Sequence, residues 1–109
     1  MEDLTELLRG VLEGCVLQIL AGGGSYGYQI VQALNALGFE SVSEGTVYPI
    51  LVRLETKGLA QVTRERSEAG PPRKVYTLNA QGRAALQAFW ERWDFVASRL
   101  AIMKEEQHG

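Results

Sequence analysis

The sequence holds one cysteine, Cys15, and one histidine, His108, in 109 residues. A single thiol excludes an internal disulfide, and the two residues cannot supply a Cys/His zinc cluster. Such sparing cysteine use fits the reducing cytoplasm. Apolar runs are also short, interrupted by polar and charged residues and by glycine, so no membrane span is expected. The start, Met1-Glu2-Asp3, is acidic, the opposite of a signal peptide's basic opening. No nucleophile–histidine pair and no metal-ligand cluster occur, so neither an enzyme nor a cofactor or metal is expected. Internal repeats and low-complexity segments are absent.

What is present has a globular balance: 46% hydrophobic and 22% charged residues, which excludes a disordered chain. The length suits one ordinary domain with a modest core. The net charge of −2 argues against nucleic acid, but its distribution argues the other way. Residues 1–52 carry one arginine against six acids. Residues 53–74 carry six cations (Arg53, Lys57, Arg64, Arg66, Arg73, Lys74) against Glu55, Glu65 and Glu68. Positive field concentrated in one block matters more to a partner than the sum does.

Periodicity divides the chain into elements. Leu4, Leu7, Leu8, Val11, Leu12, Cys15, Val16, Ile19 and Leu20 recur at three- and four-residue steps, predicting one amphipathic helix from Leu4 to Leu20. Gly22-Gly23-Gly24 ends it. Without a preceding strand or a following Gly-Lys-Ser/Thr, these glycines read as a helix stop rather than a phosphate cradle. A second helix is predicted over Tyr26–Leu37 with Ser25 as N-cap, and a third from Ser43 or Glu44 to Lys57, with Pro49 in its first turns. The period then changes. Residues 59–66 and 73–78 read as two strands around the turn-rich Ser67-Glu68-Ala69-Gly70-Pro71-Pro72. Asn79 caps a last helix running from Ala80 to Met103 or Lys104, and the tail from Glu105 to Gly109 is expected to fray.

Helix, helix-turn-helix, hairpin, helix is the order of a winged helix-turn-helix domain with an added C-terminal helix. The expected fold class is therefore mostly α with a β-hairpin wing. Residues 1–78 form the DNA-binding unit and residues 79–109 a C-terminal dimerisation helix and tail. In such a fold the helix after the turn lies in the major groove while the basic hairpin reaches phosphates or the minor groove beside it.

Four segments in this order resemble the PadR family of bacterial transcription regulators: Tyr26-Gly27-Tyr28-Gln29-Ile30, Gly45-Thr46-Val47-Tyr48-Pro49, Leu54-Glu55-Thr56-Lys57-Gly58-Leu59, and Pro72-Arg73-Lys74-Val75-Tyr76-Thr77-Leu78. The resemblance spans residues 10–90. It departs from the family pattern at Gln29, where an acid is usual, and at Val75, where an aromatic is favoured. The single C-terminal helix resembles the family's short-tailed branch. The resemblance implies a sequence-specific, dimeric repressor of transcription, in some members relieved by phenolic acids or flat hydrophobic drugs.

It also implies that Ser43, Thr46 and Tyr48, at the start of the recognition helix, contact double-stranded DNA. The alternative is that Ser43 and Thr46 only cap the helix and Tyr48 only packs. Arg53 and Lys57 are candidate phosphate contacts or plain solvated charges. Arg64, Arg66, Arg73 and Lys74 ring the hairpin tip, where they either grip phosphate or keep the hairpin edge from aggregating.

Leu86, Phe89, Trp93, Val96, Leu100 and Met103 are spaced by alternating threes and fours, a heptad seam for a second copy of the chain. Ala88, Phe95 and Ile102 form a second stripe seven residues apart. Trp90 and Trp93 are candidates to stack a small aromatic effector, with simple packing as the alternative. Cys15, on the apolar face of the first helix, reads as a core residue. A winged-helix protein–protein module without DNA binding remains the competing function.

Overall fold

The computed structural model describes residues 4–108; Met1-Glu2-Asp3 and Gly109 lie outside the described residues. Seven elements follow: α1 (Thr5–Leu8), α2 (Leu12–Ala21), α3 (Gly27–Ala36), α4 (Glu44–Thr56), β1 (Ala60–Glu65), β2 (Arg73–Leu78) and α5 (Ala80–His108). The predicted first helix is in fact two. Gly10 adopts φ +88°, a left-handed conformation that interrupts the helical path, and α2 restarts after Val11. Leu7, on the expected apolar face, consequently points to solvent.

Val16 and Leu20 of α2, Ile30 and Leu34 of α3, Leu51 and Leu54 of α4, and Tyr76 of β2 are all essentially inaccessible and form one core. Burying a side chain of this size contributes about 1.5–3 kcal/mol. That core fixes α3 against α4. The turn between them is held by the Asn35 side-chain amide, which donates to the carbonyls of Phe39 (2.8 Å) and Val42 (3.1 Å). Pro49 sits in the second turn of α4, where it has no N–H to donate to the Gly45 carbonyl one turn earlier.

The wing is an antiparallel pair in which Ala60 opposes Leu78 and Glu65 opposes Arg73. Ser25 does not cap α3 as predicted. Its backbone exchanges two hydrogen bonds with Tyr76 (3.0 and 2.9 Å), tying the α2–α3 turn to the wing, and Tyr26 takes the N-cap position. The Tyr26 amide donates to Gln29 Oε1 at 3.2 Å, so the residue that departs from the family's acid still satisfies the helix start.

Asn79 caps α5 as expected: Gly82 N–H donates to its Oδ1 at 2.8 Å, while its Nδ2 donates to the Gly58 carbonyl at 2.7 Å. The helix does not end near Met103. It continues to His108, so the expected fraying of residues 105–108 is replaced by helix. Its first half packs on the chain: Leu86 and Phe89 are half-buried, and Trp90 Nε1 donates to Gln18 Oε1 of α2 at 2.9 Å. The rest projects, giving a molecule 59 Å in its longest dimension.

Candidate nucleic-acid interface

The N-terminal ends of α3 and α4 open on the same side as β2. Between them lies a cleft of about 270 Å3 lined by Tyr26, Tyr28, Tyr48, Arg73, Lys74 and Tyr76, with Glu44 and Leu51. Tyr48 and Tyr28 are half-exposed, at 49% and 50%. The Arg73 guanidinium lies over the Tyr26 ring, 4.7 Å from its centre, which anchors the side chain while leaving its N–H groups available. Tyr76 lies beneath, 1% exposed, and its hydroxyl has no hydrogen-bond partner among the described residues. Burial pushes the Tyr76 phenol above its usual pKa, and the neighbouring Tyr48 and Glu55 push it further the same way.

Ser43 is the N-cap of α4, but its hydroxyl does not cap the backbone. It lies 3.5 Å from Thr46 Oγ1, so both hydroxyls stand at an open helix end. Free N–H groups and the positive end of the helix dipole there favour an anion. In the wing, Arg64 sits directly opposite Lys74 in the strand register. Like charges facing each other in a ladder repel, and an anion beside them relieves that repulsion. Arg66 lies farther out, beside the tip residues Ser67, Glu68, Gly70 and Pro72.

The structure thus brings Tyr48, Arg73 and Lys74 together and sets Arg64 and Arg66 along the same hairpin. Arg53 and Lys57 lie elsewhere. They face α2, where Lys57 Nζ donates to Glu13 Oε1 at 3.1 Å and Arg53 Nη2 sits 3.7 Å from Glu13 Oε2. Tyr26, Tyr28 and Tyr76 are cleft residues that sequence reasoning left unassigned, although all three sit in segments that carried the family resemblance.

A model of the PadR-like transcriptional regulator family matches residues 16–88, which include α3, α4 and the wing. The chain belongs to the PadR-like family of transcriptional regulators. PadR-like proteins are transcriptional regulators. Transcriptional regulator Rv3488 of Mycobacterium tuberculosis is 37% identical over 83 residues, covering 76% of each chain. The crystal structure of the PadR-like regulator BC4206 from Bacillus cereus superposes with a TM-score of 0.80 at 37% identity, covering 91% of this chain and 96% of that one. Bacillus subtilis PadR, solved in complex with operator DNA, superposes with a TM-score of 0.67 at 26% identity, over 73% of this chain and 46% of that one. The fold is therefore the PadR winged helix with a C-terminal helix. No helix among the described residues is long and apolar enough to cross a membrane.

Proposed function

We propose that this PadR-like regulator is a cytoplasmic, homodimeric repressor that binds a specific double-stranded operator through the α3–α4–wing cleft. The observation that carries the reading is the convergence of two helix N-termini, exposed Tyr48 and the ring-anchored Arg73 on one cleft. Ser43, Thr46 and Tyr48 approach bases and nearby phosphates, while Arg73, Lys74, Arg64 and Arg66 supply backbone contacts. The structural likeness to Bacillus subtilis PadR, solved in complex with operator DNA, supports operator binding.

The far half of α5 supports the dimer. Trp93, Val96, Leu100 and Met103 of the seam are 40–62% exposed on the single chain. Phe95 and Ile102 are equally uncovered. An apolar stripe this long on a projecting helix calls for a partner, and a twofold-related copy meets it with the same residues. Leu86 and Phe89 anchor the helix to its own head instead. At that junction Trp93 offers an indole face to a flat aromatic effector, while Trp90 is held by Gln18. A ligand that prefers one crossing angle of the two α5 helices changes the spacing of the heads and releases DNA.

The test is fluorescence anisotropy of labelled duplexes covering the DNA upstream of the protein's own gene, repeated at rising salt. Binding whose logarithm falls linearly with log salt supports the reading. Absence of duplex binding at low salt rejects it in favour of a protein–protein module.

A further inference from the structure

We infer that Glu13 sets sequence specificity by holding two cations of the recognition helix, Arg53 and Lys57, away from DNA phosphate. The inference rests on the reading of α4 as the DNA-facing helix. Val47, Ile50, Leu51 and Leu54 face the core, and Tyr48 emerges on the flank beside the wing. Arg53 and Lys57, four residues apart, emerge on the opposite flank, where Glu13 of α2 meets both, at 3.7 and 3.1 Å. The Glu13 side chain is 27% exposed and the two cations 50%. The cations therefore remain within reach of an approaching polyanion, while their carboxylate partner is recessed.

Glu13 and Lys57 also line a cleft of about 210 Å3 with Arg92, floored by Leu17, Leu59 and Phe89. One carboxylate thus serves a locally cationic corner. A phosphate drawn to Arg53 or Lys57 must settle beside Glu13, placing a partly desolvated carboxylate next to another anion, which is unfavourable. Phosphate contacts raise affinity for every sequence alike, whereas base contacts at the α4 N-terminus discriminate. Withholding two cations therefore lowers non-specific binding and leaves operator reading intact. Because competing sites vastly outnumber the operator, that ratio is what a regulator needs.

The experiment measures affinity of the full chain for an operator duplex and a scrambled duplex between low and high salt. Glu13→Gln keeps the side-chain shape and frees both cations. Its log–log salt slope is expected to steepen by about 0.9 for each new phosphate contact. Scrambled-duplex affinity at low salt should then rise roughly tenfold, and the operator preference should fall. In the native background, Arg53→Gln/Lys57→Gln leaves the slope unchanged, and adding it to Glu13→Gln restores the native slope. The double variant keeps the inference open to refutation even if Glu13→Gln folds poorly: a slope flattened by one to two contacts means these cations already grip phosphate, and the inference is wrong. Arg73→Gln separates this from the underlying reading. If Arg73→Gln and the Arg53/Lys57 double variant both flatten the slope, DNA binding stands and only the role of Glu13 falls. If no variant binds duplex, both fall.

Discussion

The Phe89 ring of α5 closes on the bare α-carbon of Gly14 in α2, a contact that lets the C-terminal helix pack closely on α2. A methyl group at position 14 would overlap the ring, which must move. Gly14→Ala should therefore destabilise the chain by about 1–3 kcal/mol despite improving helix propensity. Shortening the opposing side chain in Gly14→Ala/Phe89→Leu should recover part of that loss. Urea denaturation of the single and double variants checks both statements.

Gly45 behaves differently. A Cβ there would meet only Ser43 Oγ at 3.6 Å, an ordinary contact, so nothing inside the chain requires glycine in the first turn of α4. Gly45→Ala should raise stability by up to about 1 kcal/mol. If the bare backbone admits DNA closely, the same change should weaken operator binding. Thermal unfolding and anisotropy on one preparation should move in opposite directions.

Val96 is 48% exposed on the projecting part of α5. A charge placed there spoils a seam between copies without entering the chain's own core. Val96→Asp should give a folded protein with native helical circular dichroism that sediments at 12.0 kDa, whereas the native chain, as the proposed dimer, should sediment at twice that mass. A native chain that is already monomeric at micromolar concentration would remove the dimer from the proposal.

Burial pushes the Cys15 thiol above its ordinary pKa, with a backbone hydrogen bond pulling weakly the other way. The folded state therefore favours the protonated thiol. Its contribution to stability is complete below the unfolded thiol's pKa, about 8.5, and is lost as pH climbs through the folded value. Iodoacetamide should modify the native protein at pH 8 much more slowly than the urea-unfolded chain. Tyr76 titrates with the same sign, but the thiol-specific reagent reads Cys15 alone.

The architecture was legible in the sequence where short-range chemistry decides it. Hydrophobic spacing marked α3, α4 and α5; the Pro-Pro-rich tip marked the hairpin; Asn79 was recognisable as a cap. The missed features depend on contacts between distant residues or on a local backbone choice. Gly10 lies within an unbroken apolar pattern, so periodicity alone passed through the break it makes between α1 and α2. Ser25 resembled an N-cap in sequence, but its backbone is claimed by Tyr76. At the site, the tyrosines of the Tyr-Gly-Tyr segment carried the family likeness without any local sign that they line a cleft with Arg73. The pairing of Glu13 with Arg53 and Lys57 joins two helices and leaves no trace in either one's pattern.

The central claim is that two copies present paired α4 helices and wings to one DNA site. Hydroxyl-radical footprinting on an operator selected from a random duplex pool tests it most directly. Two symmetric patches of protection are predicted, with centres about 10 bp apart or a whole multiple of that spacing. A single unpaired patch, or no protection by a protein that is folded and dimeric, would contradict it.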